Sequence, residues 1–442
     1  MKKIIALLLS ISLFVTLAAC GTDDTSSDAT VSKVFPNGTT ASVPDDGNAA
    51  ANEIPVEVVG TVTGSGSVVQ QVTVDKSGAT LISISKKEES KDNTSSGSSS
   101  STDTTNKDPL MDLGLDFVLK FDSDDITILQ LTDFRIIDST QQRTMGLFGQ
   151  AQADLYKPEN MQELLFDYIK KTIDEAKPDL ILVSGNLVQG EFDDLGKSFK
   201  AVINYLESFK IFWAPVFGDL DNISAQGVEW QAKQFENAKY CLFNRNNAIG
   251  GNSNYTIGIG INNVLSRVIY MMDSNGCSNS TDPAVTAVKG LTEKQIEWMK
   301  TTAATIKEKN GKAVPAFTCF GCPSADVTAT LVGAGYQAAG NEAAAYKIGT
   351  DVTAKNGDSG TKGGLIDGEH TIGTLAETFK EIGIDGVFMG DNPASDFSVL
   401  YGGIRWTLGR KTGKYDTTSD LNGGTKIKLS NGGKAFAVTL IG

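Results

Sequence analysis

One histidine, His370, is present among the 442 residues of this sequence. Zinc and iron hydrolase sites generally use about two to four imidazole ligands. General acid–base catalysis also draws on histidine more often than on any other side chain. A mechanism that needs a cluster of histidines is therefore excluded. His370 itself lies before a predicted helix, away from the motifs described below, and is predicted to be a helix-start or surface residue.

Positive charge is also scarce. The chain has 39 Lys and Arg residues against 53 Asp and Glu residues, which gives a formal net charge of −14. Contacts to nucleic-acid phosphates need a basic surface. No nucleic-acid partner is therefore expected.

Long apolar runs are confined to the N-terminus, MKKIIALLLSISLFVTLAAC. Its apolar stretch, residues 4–17, follows two lysines and is too short to span a bilayer comfortably. The final LAAC resembles a bacterial lipobox, in which the cysteine is diacylated and becomes the mature N-terminus. We expect lipidation at Cys20, which would hold the protein to the cell membrane on its extracytoplasmic face. The alternative is an ordinary secretory signal that happens to contain a cysteine.

Cysteine is sparse as well, with four residues besides Cys20: Cys241, Cys277, Cys319 and Cys322. An exported protein could pair them, but four cysteines allow three connectivities and spacing does not choose among them. Cys319 and Cys322 form a C-x-x-C motif. In thioredoxin-like proteins such a motif is redox-active where it opens a helix near a neutralising charge. Here it follows a predicted strand, which favours a structural disulfide or two packed thiols.

Composition divides the chain into five segments. Residues 1–20 form the lipoprotein signal peptide, and residues 21–53 are a polar stretch predicted to be a disordered tether. Residues 54–87 alternate β-branched and polar residues, which predicts a small β-rich segment of about three strands. Residues 88–116 contain a Ser/Thr-rich linker, and residues 117–442 form the main domain.

The main domain alternates predicted strands with predicted helices. The strands include DITILQLTD, LILVSGN, IFWAPVFGD, RVIYMMD, AVPAFTCFG and GVFMGD, and the helices include NMQELLFDYIKKTIDEAKPD, SFKAVINYLESFK, TEKQIEWMKTTAATIKEK and IGTLAETFKEIG. In the first helix, one predicted apolar face contains Leu164, Leu165, Tyr168, Ile169 and Ile173. This alternation of strands and helices indicates an α/β fold with helices packed on a central sheet. The chain closes with predicted antiparallel strands, and residues 331–368 are predicted to be a long insertion.

Polar residues follow several of these strands, where each strand ends. The residues are Asp133, Asn186, Asp219 with Asp221, Cys319 with Cys322, and Asp391 with Asn392. Any one of them alone is more often a helix cap or turn residue. In open α/β sheets, however, ligands bind outside the carboxyl ends of strands. We therefore expect these residues to converge on one edge of the fold.

The same residues occur within five motifs, Asp133-Phe134-Arg135, Gly185-Asn186, Gly218-Asp219-Leu220-Asp221, CFGCP and GDNPASDF. Their order and spacing resemble the calcineurin-like metallophosphoesterases, especially the branch related to purple acid phosphatases. In that family the motifs read D-x-H, G-D, G-N-H-D, a His shortly before Pro, and G-H-D-H followed by N-D-F. The resemblance covers roughly residues 117–442. It implies a sandwich of mixed β-sheets flanked by helices, with a two-metal site between the strand ends.

The resemblance also shows what this chain lacks. The degenerate ligand positions are Asp133, Arg135, Asn186, Asp219, Gly321, Asp391 and Pro393. Four family histidines are replaced by Arg135, Gly321, Asp391 and Pro393, and the bridging carboxylate is replaced by Asn186. Leu220 stands where the family has its catalytic proton donor. The sequence therefore predicts no catalytic residue and no cofactor.

Two arrangements of the remaining carboxylates stay open. Asp133, Asp219 and Asp391, with Asp221, could form an oxygen-only cage for Mg²⁺ or Ca²⁺. Alternatively, Arg135 could be a counter-cation that pairs with Asp219 or Asp391 in a structural salt bridge. The salt bridge is favoured.

Three hypotheses for function follow. The first is a lipid-anchored pseudophosphatase that binds an unknown protein or small molecule at the strand-end cleft or acts as a scaffold. The second is an active phosphoesterase with an altered, oxygen-rich metal site. The third is a structural surface protein that makes its contacts through residues 54–87. The single histidine favours the first over the second.

Overall fold

The computed structural model describes residues 31–34, 40–43, 54–56, 61–62, 67–74, 80–86, 108–138, 140–141, 158–276, 290–336, 345–346, 358–364, 372–391, 395–413 and 422–442. Cys20, Cys277, His370, Asn392 and Pro393 lie outside these residues, as do the predicted signal peptide and most of the predicted tether and linker. Among the helices of the described part of the chain, none is both long enough and apolar enough to cross a membrane.

Two mixed β-sheets form the centre of the fold. The described strands, of which β1 and β2 are not part of these two sheets, are β1 (Val31–Val34), β2 (Thr40–Val43), β3 (Ile54–Val56), β4 (Thr61–Val62), β5 (Ser67–Val74), β6 (Thr80–Lys86), β7 (Phe117–Phe121), β8 (Thr127–Leu131), β9 (Leu180–Ser184), β10 (Phe212–Val216), β11 (Tyr255–Ile261), β12 (Val264–Met272), β13 (Ala316–Phe320), β14 (Ala345–Tyr346), β15 (Ser359–Gly364), β16 (Ile384–Met389), β17 (Asp396–Tyr401), β18 (Ile404–Leu408), β19 (Gly424–Ser430) and β20 (Ala435–Ile441). β1 and β2 pair only with each other among the described strands.

The smaller sheet has the order β10-β9-β8-β19-β20, and the larger runs β14-β15-β17-β18-β16-β13-β12-β11-β7-β6-β5-β3, with β4 beside β5. β8, β9 and β10 are parallel to one another. β12, β13, β16 and β18 are likewise parallel. Strands such as Leu180–Ser184 are buried at every residue, as parallel strands covered on both faces require. In each sheet, the carboxyl ends of a set of parallel strands therefore lie along one edge.

Helices cover the outer face of each sheet. They are α1 (Pro158–Ala176), α2 (Lys197–Ser208), α3 (Gly227–Asn237), α4 (Glu293–Asn310), α5 (Asp326–Gly333) and α6 (Ala376–Ile382). Apolar side chains of α1, α2 and α3 belong to one hydrophobic core, which also contains residues from strands of both sheets. Side chains of α4, α5 and α6 form a second core on the other face of the larger sheet. The predicted layered α/β architecture of mixed sheets flanked by helices is confirmed.

The β-rich segment predicted at residues 54–87 is continuous with the main fold. β6 pairs in parallel with β7, with Thr80 opposite Phe117, and Ile82 and Ile84 are buried in the core between the sheets. Within the predicted linker, a 3₁₀ helix, Met111–Leu113, is also buried at both ends. The segment is therefore an extension of the larger sheet rather than a separate unit.

Two details of the sequence prediction are wrong. Leu164, assigned to the apolar face of α1, is 40% exposed, because the buried stripe runs through Leu165, Ile169 and Ile173 instead. The insertion predicted at residues 331–368 begins inside α5. It also includes β15, which pairs with β17 of the larger sheet.

Candidate functional site

The carboxyl ends of parallel strands from both sheets meet at one edge. Asp133 follows β8, Asn186 follows β9 and Asp219 follows β10 of the smaller sheet. Asp391 follows β16 of the larger sheet and reaches Asp133 through its backbone N–H, which donates to Asp133 Oδ2 at 3.0 Å. The predicted convergence of these four residues is present.

The two cysteines of the C-x-x-C motif are separated by the end of β13. Cys319 lies within the strand and is buried in the core between the sheets. Cys322 lies after the strand, fully buried, and its N–H donates to Ser274 Oγ. No disulfide joins the two cysteines in the structure. The alternative of two packed thiols therefore holds over a disulfide between them, and Cys322 rather than Cys319 belongs to the strand-end site.

The backbone turns sharply where the site residues lie. Asp133, Arg135, Asn186 and Asp391 have φ values of 53°, 45°, 56° and 62°. This left-handed conformation is uncommon for residues other than glycine and costs free energy. Four such residues within one contact network indicate that the surrounding packing fixes these turns.

Glycines let the strand ends approach closely. A Cβ at Gly218 would lie 2.2 Å from Asn186 Oδ1, and one at Gly390 would lie 2.3 Å from the carbonyl oxygen of Ser184. At Gly321, where the resembled family has a histidine, a Cβ would lie 2.3 Å from the carbonyl oxygen of Phe217. A side chain at 321 therefore cannot be accommodated without movement of the backbone.

Four residues, Asp133, Arg135, Asn186 and Asp391, form what we call the central network. Arg135 Nε donates to Asp133 Oδ1 at 2.9 Å, and Arg135 Nη2 donates to Asp391 Oδ1 at 2.7 Å. Asn186 Nδ2 donates to the same two oxygens, at 3.2 Å and 2.8 Å. Asp133 and Asn186 are fully buried, and the Arg135 side chain is 12% exposed. The salt bridge predicted between Arg135 and Asp391 is present, and it extends to Asp133.

The remaining donors and acceptors of the network are also occupied. Asp133 Oδ2 accepts from Thr132 Oγ1 at 3.2 Å in addition to the Asp391 N–H. Asn186 Oδ1 accepts from the Leu220 N–H at 3.0 Å. Thr132 was not selected from the sequence, although a polar residue directly before Asp133 in an apolar run is a usable signal. Leu220 contributes its backbone N–H and offers no side-chain proton donor.

Asp221 holds two strand ends together. Its Oδ2 accepts from the N–H groups of Asn186 and Gly218 at 2.8 Å and 2.9 Å, and its Oδ1 accepts from the Val188 N–H at 3.1 Å. Burial raises the pKa of Asp221 to about 7 against the effect of these hydrogen bonds. Both oxygens are engaged with backbone donors, so Asp221 is a structural residue rather than part of an oxygen cage.

A second group of side chains lies beside the central network. One carboxylate oxygen each of Asp219 and Asp391 and the Cys322 sulfur lie within 4.8 Å of one another. Asp219 Oδ1 also accepts from the Leu220 N–H at 2.9 Å. Burial, then the negative charge of Asp219, raises the pKa of Asp391 well above its usual value, while Arg135 lowers it. Asp219 and Asp391 are therefore close enough for the charge of one to disfavour ionisation of the other.

The residues of the central network do not fit a pair of divalent cations. A two-metal site needs lone pairs aimed at the metals, with a carboxylate bridging them. Here the amide NH₂ group of Asn186 and the guanidinium of Arg135 point at the carboxylates of Asp133 and Asp391. Of the three residues predicted to form a cage of hard ligands, Asp219 and Asp391 lie together beside the Cys322 sulfur, whereas both oxygens of Asp133 accept hydrogen bonds within the central network.

Comparison with known proteins gives structural matches alone. No protein-family model matches the sequence, and no curated protein matches it significantly. Among the matched solved structures is a dimetal phosphatase from Danio rerio, with 10% identity and a TM-score of 0.39 over 70% of this chain and 94% of that one. A protein from Thermus thermophilus matches with 11% identity and a TM-score of 0.35, over 72% of this chain and 99% of that one.

A purple acid phosphatase from yellow lupin (Lupinus luteus) seeds also matches, with 9% identity and a TM-score of 0.36 over 91% of this chain and 65% of that one. Two of these structures carry names from the family that the sequence motifs resemble. At such identities and TM-scores, the likeness assigns no residue, metal or activity to this chain.

Proposed function

We propose that this chain is a membrane-anchored extracytoplasmic lipoprotein with a phosphoesterase-like domain that does not hydrolyse phosphoesters and acts in binding or as a scaffold. One observation carries the loss of hydrolysis. Arg135 and Asn186 each donate hydrogen bonds to both Asp133 and Asp391. The centre of the strand-end edge is thus a closed set of ion pairs and hydrogen bonds.

Hydrolysis by a two-metal centre requires three features that these residues do not supply. It requires paired cations, a water activated by them and a proton donor for the leaving group. The guanidinium of Arg135 is a fixed positive charge that donates to both Asp133 and Asp391, so it competes with a pair of cations for these two carboxylates. Leu220, at the family's proton-donor position, has an aliphatic side chain. These residues together support an inactive centre.

Anchoring is supported by the sequence alone. The basic residues, the short apolar stretch and the LAAC ending at Cys20 are the features of a lipoprotein signal. Diacylation would attach the domain to the outer face of the cell membrane. A ligand or protein partner at the strand-end cleft remains a prediction.

A turnover assay tests the proposal most directly. The detergent-solubilised full-length protein is incubated with a phosphomonoester and a phosphodiester substrate, with Mg²⁺, Mn²⁺, Zn²⁺ or Fe²⁺ added in turn. We expect hydrolysis equal to that of buffer under each condition. The two variants to run beside it are Asp133→Ala, within the central network, and Asp167→Ala, on the exposed face of α1.

The variants decide how any turnover is read. Metal-dependent turnover that is lost in Asp133→Ala and kept in Asp167→Ala would contradict the proposal and identify an active phosphoesterase with an altered site. Turnover that is equal in both variants would come from a contaminant and would leave the chain itself inactive, as expected.

A further inference from the structure

Three potential metal ligands meet beside the central network. Asp219, Cys322 and Asp391 follow β10, β13 and β16, and therefore come from both sheets. One carboxylate oxygen from each aspartate and the thiol sulfur lie within 4.8 Å of one another. Cys322 is fully buried and Asp219 is 7% exposed. The group is thus held in place by the core rather than by mobile surface chains.

The hydrogen bonds around this group use one oxygen of each carboxylate. Asp391 Oδ1 accepts from Arg135 and Asn186, and Asp219 Oδ1 accepts from the Leu220 N–H. The two carboxylates are also hydrogen-bonded to each other, which requires one proton between them, and a bound metal would take the place of that proton. A metal could be bound on this side while the central network stays intact.

The charge of the site also favours a cation. The buried carboxylates of Asp133 and Asp219 lie with the carboxylate of Asp391, whose side chain is 7% exposed, and Arg135 is a cation that directly contacts two of the three. Asp219 and Asp391 also interact directly with each other. Buried carboxylates in contact are costly unless a proton or a cation lies between them. A single divalent cation between Asp219 and Asp391 would supply the missing positive charge.

The ligand atoms select the type of metal. Mg²⁺ and Ca²⁺ prefer oxygen ligands alone, whereas a cysteine thiolate with carboxylates suits zinc and other thiophilic ions. Ligand bonds of about 2.0–2.3 Å in a tetrahedral zinc site place the ligand atoms roughly 3.3–3.8 Å apart. The separations here require an inward movement of about 1 Å at most for each ligand. Three protein ligands would leave the fourth position open to water or an exogenous ligand.

We propose that Asp219, Cys322 and Asp391 bind one zinc ion beside the central network. This site differs from the ligand set that the sequence resemblance implies, in which the position next to Cys322, now Gly321, supplies the ligand. It also replaces the hard-cation site predicted from the sequence. The proposal is independent of the proposed function, because one zinc ion bound here needs no phosphoesterase activity.

Metal titration with thiol-specific spectroscopy tests this site. The full-length protein is stripped with a chelator, dialysed and titrated with Zn²⁺ in competition with a chromophoric chelator, and separately with Cd²⁺. We expect one zinc per chain and an ultraviolet thiolate-to-cadmium charge-transfer band. Loss of an outer-shell partner alone commonly lowers metal affinity about 10- to 100-fold. Cys322→Ser should therefore lower zinc affinity at least about 100-fold and abolish the cadmium band.

Matched variants separate the site from general effects on the fold. Cys241→Ser changes a cysteine that is not part of the group and should keep full zinc affinity. Asp219→Asn should weaken zinc binding in the same way as Cys322→Ser, with circular dichroism confirming that each variant is folded. Absence of stoichiometric zinc, or zinc and a cadmium band that survive in Cys322→Ser, would overturn the proposal. Phosphoester turnover by the zinc-loaded protein would instead contradict the proposed function and leave the zinc site standing.

Discussion

Arg135 and Asn186 determine the chemistry of the strand-end edge at the scale of single residues. A carboxylate at position 186 would present acceptors to Asp133 and Asp391, whereas the amide presents an NH₂ group that donates to both. The guanidinium adds a fork of donors that matches carboxylate geometry. Arg135 and Asn186 thus place donors between Asp133 and Asp391, so that two like charges become part of a set of satisfied hydrogen bonds.

Removal of the Arg135 guanidinium should show how much this group contributes to the stability of the fold. Arg135→Met keeps much of the side-chain length but leaves Asp133 and Asp391 without their opposite charge. Breaking a buried ion pair on one side typically costs about 3–5 kcal/mol. We expect a loss of that size in the free energy of unfolding, measured by urea denaturation of the metal-free protein.

An exposed ion pair provides the control for Arg135→Met. Lys170 pairs with Asp174 one helical turn away in α1, and both side chains are more than half exposed. Such pairs contribute roughly 0.3–0.5 kcal/mol, so Lys170→Met should have little effect. Equal small effects of the two substitutions would show that the network is not the source of stability at this edge.

The identity of the site residues could be predicted from the sequence, but their bonding could not. Polar residues at strand ends marked Asp133, Asn186, Asp219 and Asp391 correctly as neighbours. The sequence could not show that the Leu220 N–H donates a hydrogen bond to Asn186 Oδ1, because this contact depends on how two loops pack. It also gave no sign that a side chain at Gly321 would collide with the Phe217 carbonyl. A motif comparison therefore locates the site without showing which side chains its backbone can accommodate.

Periodicity predicted individual elements better than it predicted their partners. The helix beginning after Thr292 has a complete capping box with Gln295, and the apolar runs before the site residues are all strands. The alternating pattern at residues 54–87 correctly indicated β-structure. Its pairing with β7 was missed, because a parallel partner some 30 residues later leaves no local signal. Element type is thus encoded locally, whereas strand order is set by the core.

The N-terminus of α2 should make stability depend on pH. Asp193 accepts from the N–H groups of Ser198 and Phe199, and burial raises its pKa to about 6. In the unfolded chain an aspartate has a pKa of about 3.9. The folded state therefore binds more protons between about pH 4 and 6, and its stability should fall as the pH rises through this window.

Asp193→Asn should remove the part of this dependence that comes from Asp193 while keeping an acceptor for the helix N-terminus, and Asp221, whose pKa is raised to about 7, should continue to contribute. A difference of about two pKa units corresponds to roughly 2–3 kcal/mol between the two ends of the window. Urea denaturation at a series of pH values between 4 and 7 would measure it. Asp167→Asn, on the exposed face of α1, is the control and should leave the slope unchanged. A slope that Asp193→Asn does not alter would assign the pH dependence to other groups.

At the scale of the whole molecule, the two sheets place the site residues on one edge of a layered body. Between the N-terminus and the main domain, the chain forms β5 and β6, which belong to the larger sheet. Any anchor at the N-terminus would therefore attach to the end of a sheet rather than to an independent domain.

The anchor itself is the feature most open to a direct test. Two acyl chains on one cysteine bury enough methylene groups to give stable attachment, at about 0.8 kcal/mol for each buried CH₂, whereas one chain gives reversible binding. Cys20→Ser removes the thiol that would carry the first chain. We expect the variant to leave the membrane fraction, or to remain as an unprocessed precursor of lower electrophoretic mobility. Cys241→Ser, which changes a cysteine within the folded domain, should fractionate with the membrane. If Cys20→Ser stays in the membrane fraction with unchanged mobility, the LAAC sequence is not a lipidation signal and attachment must come from another part of the chain.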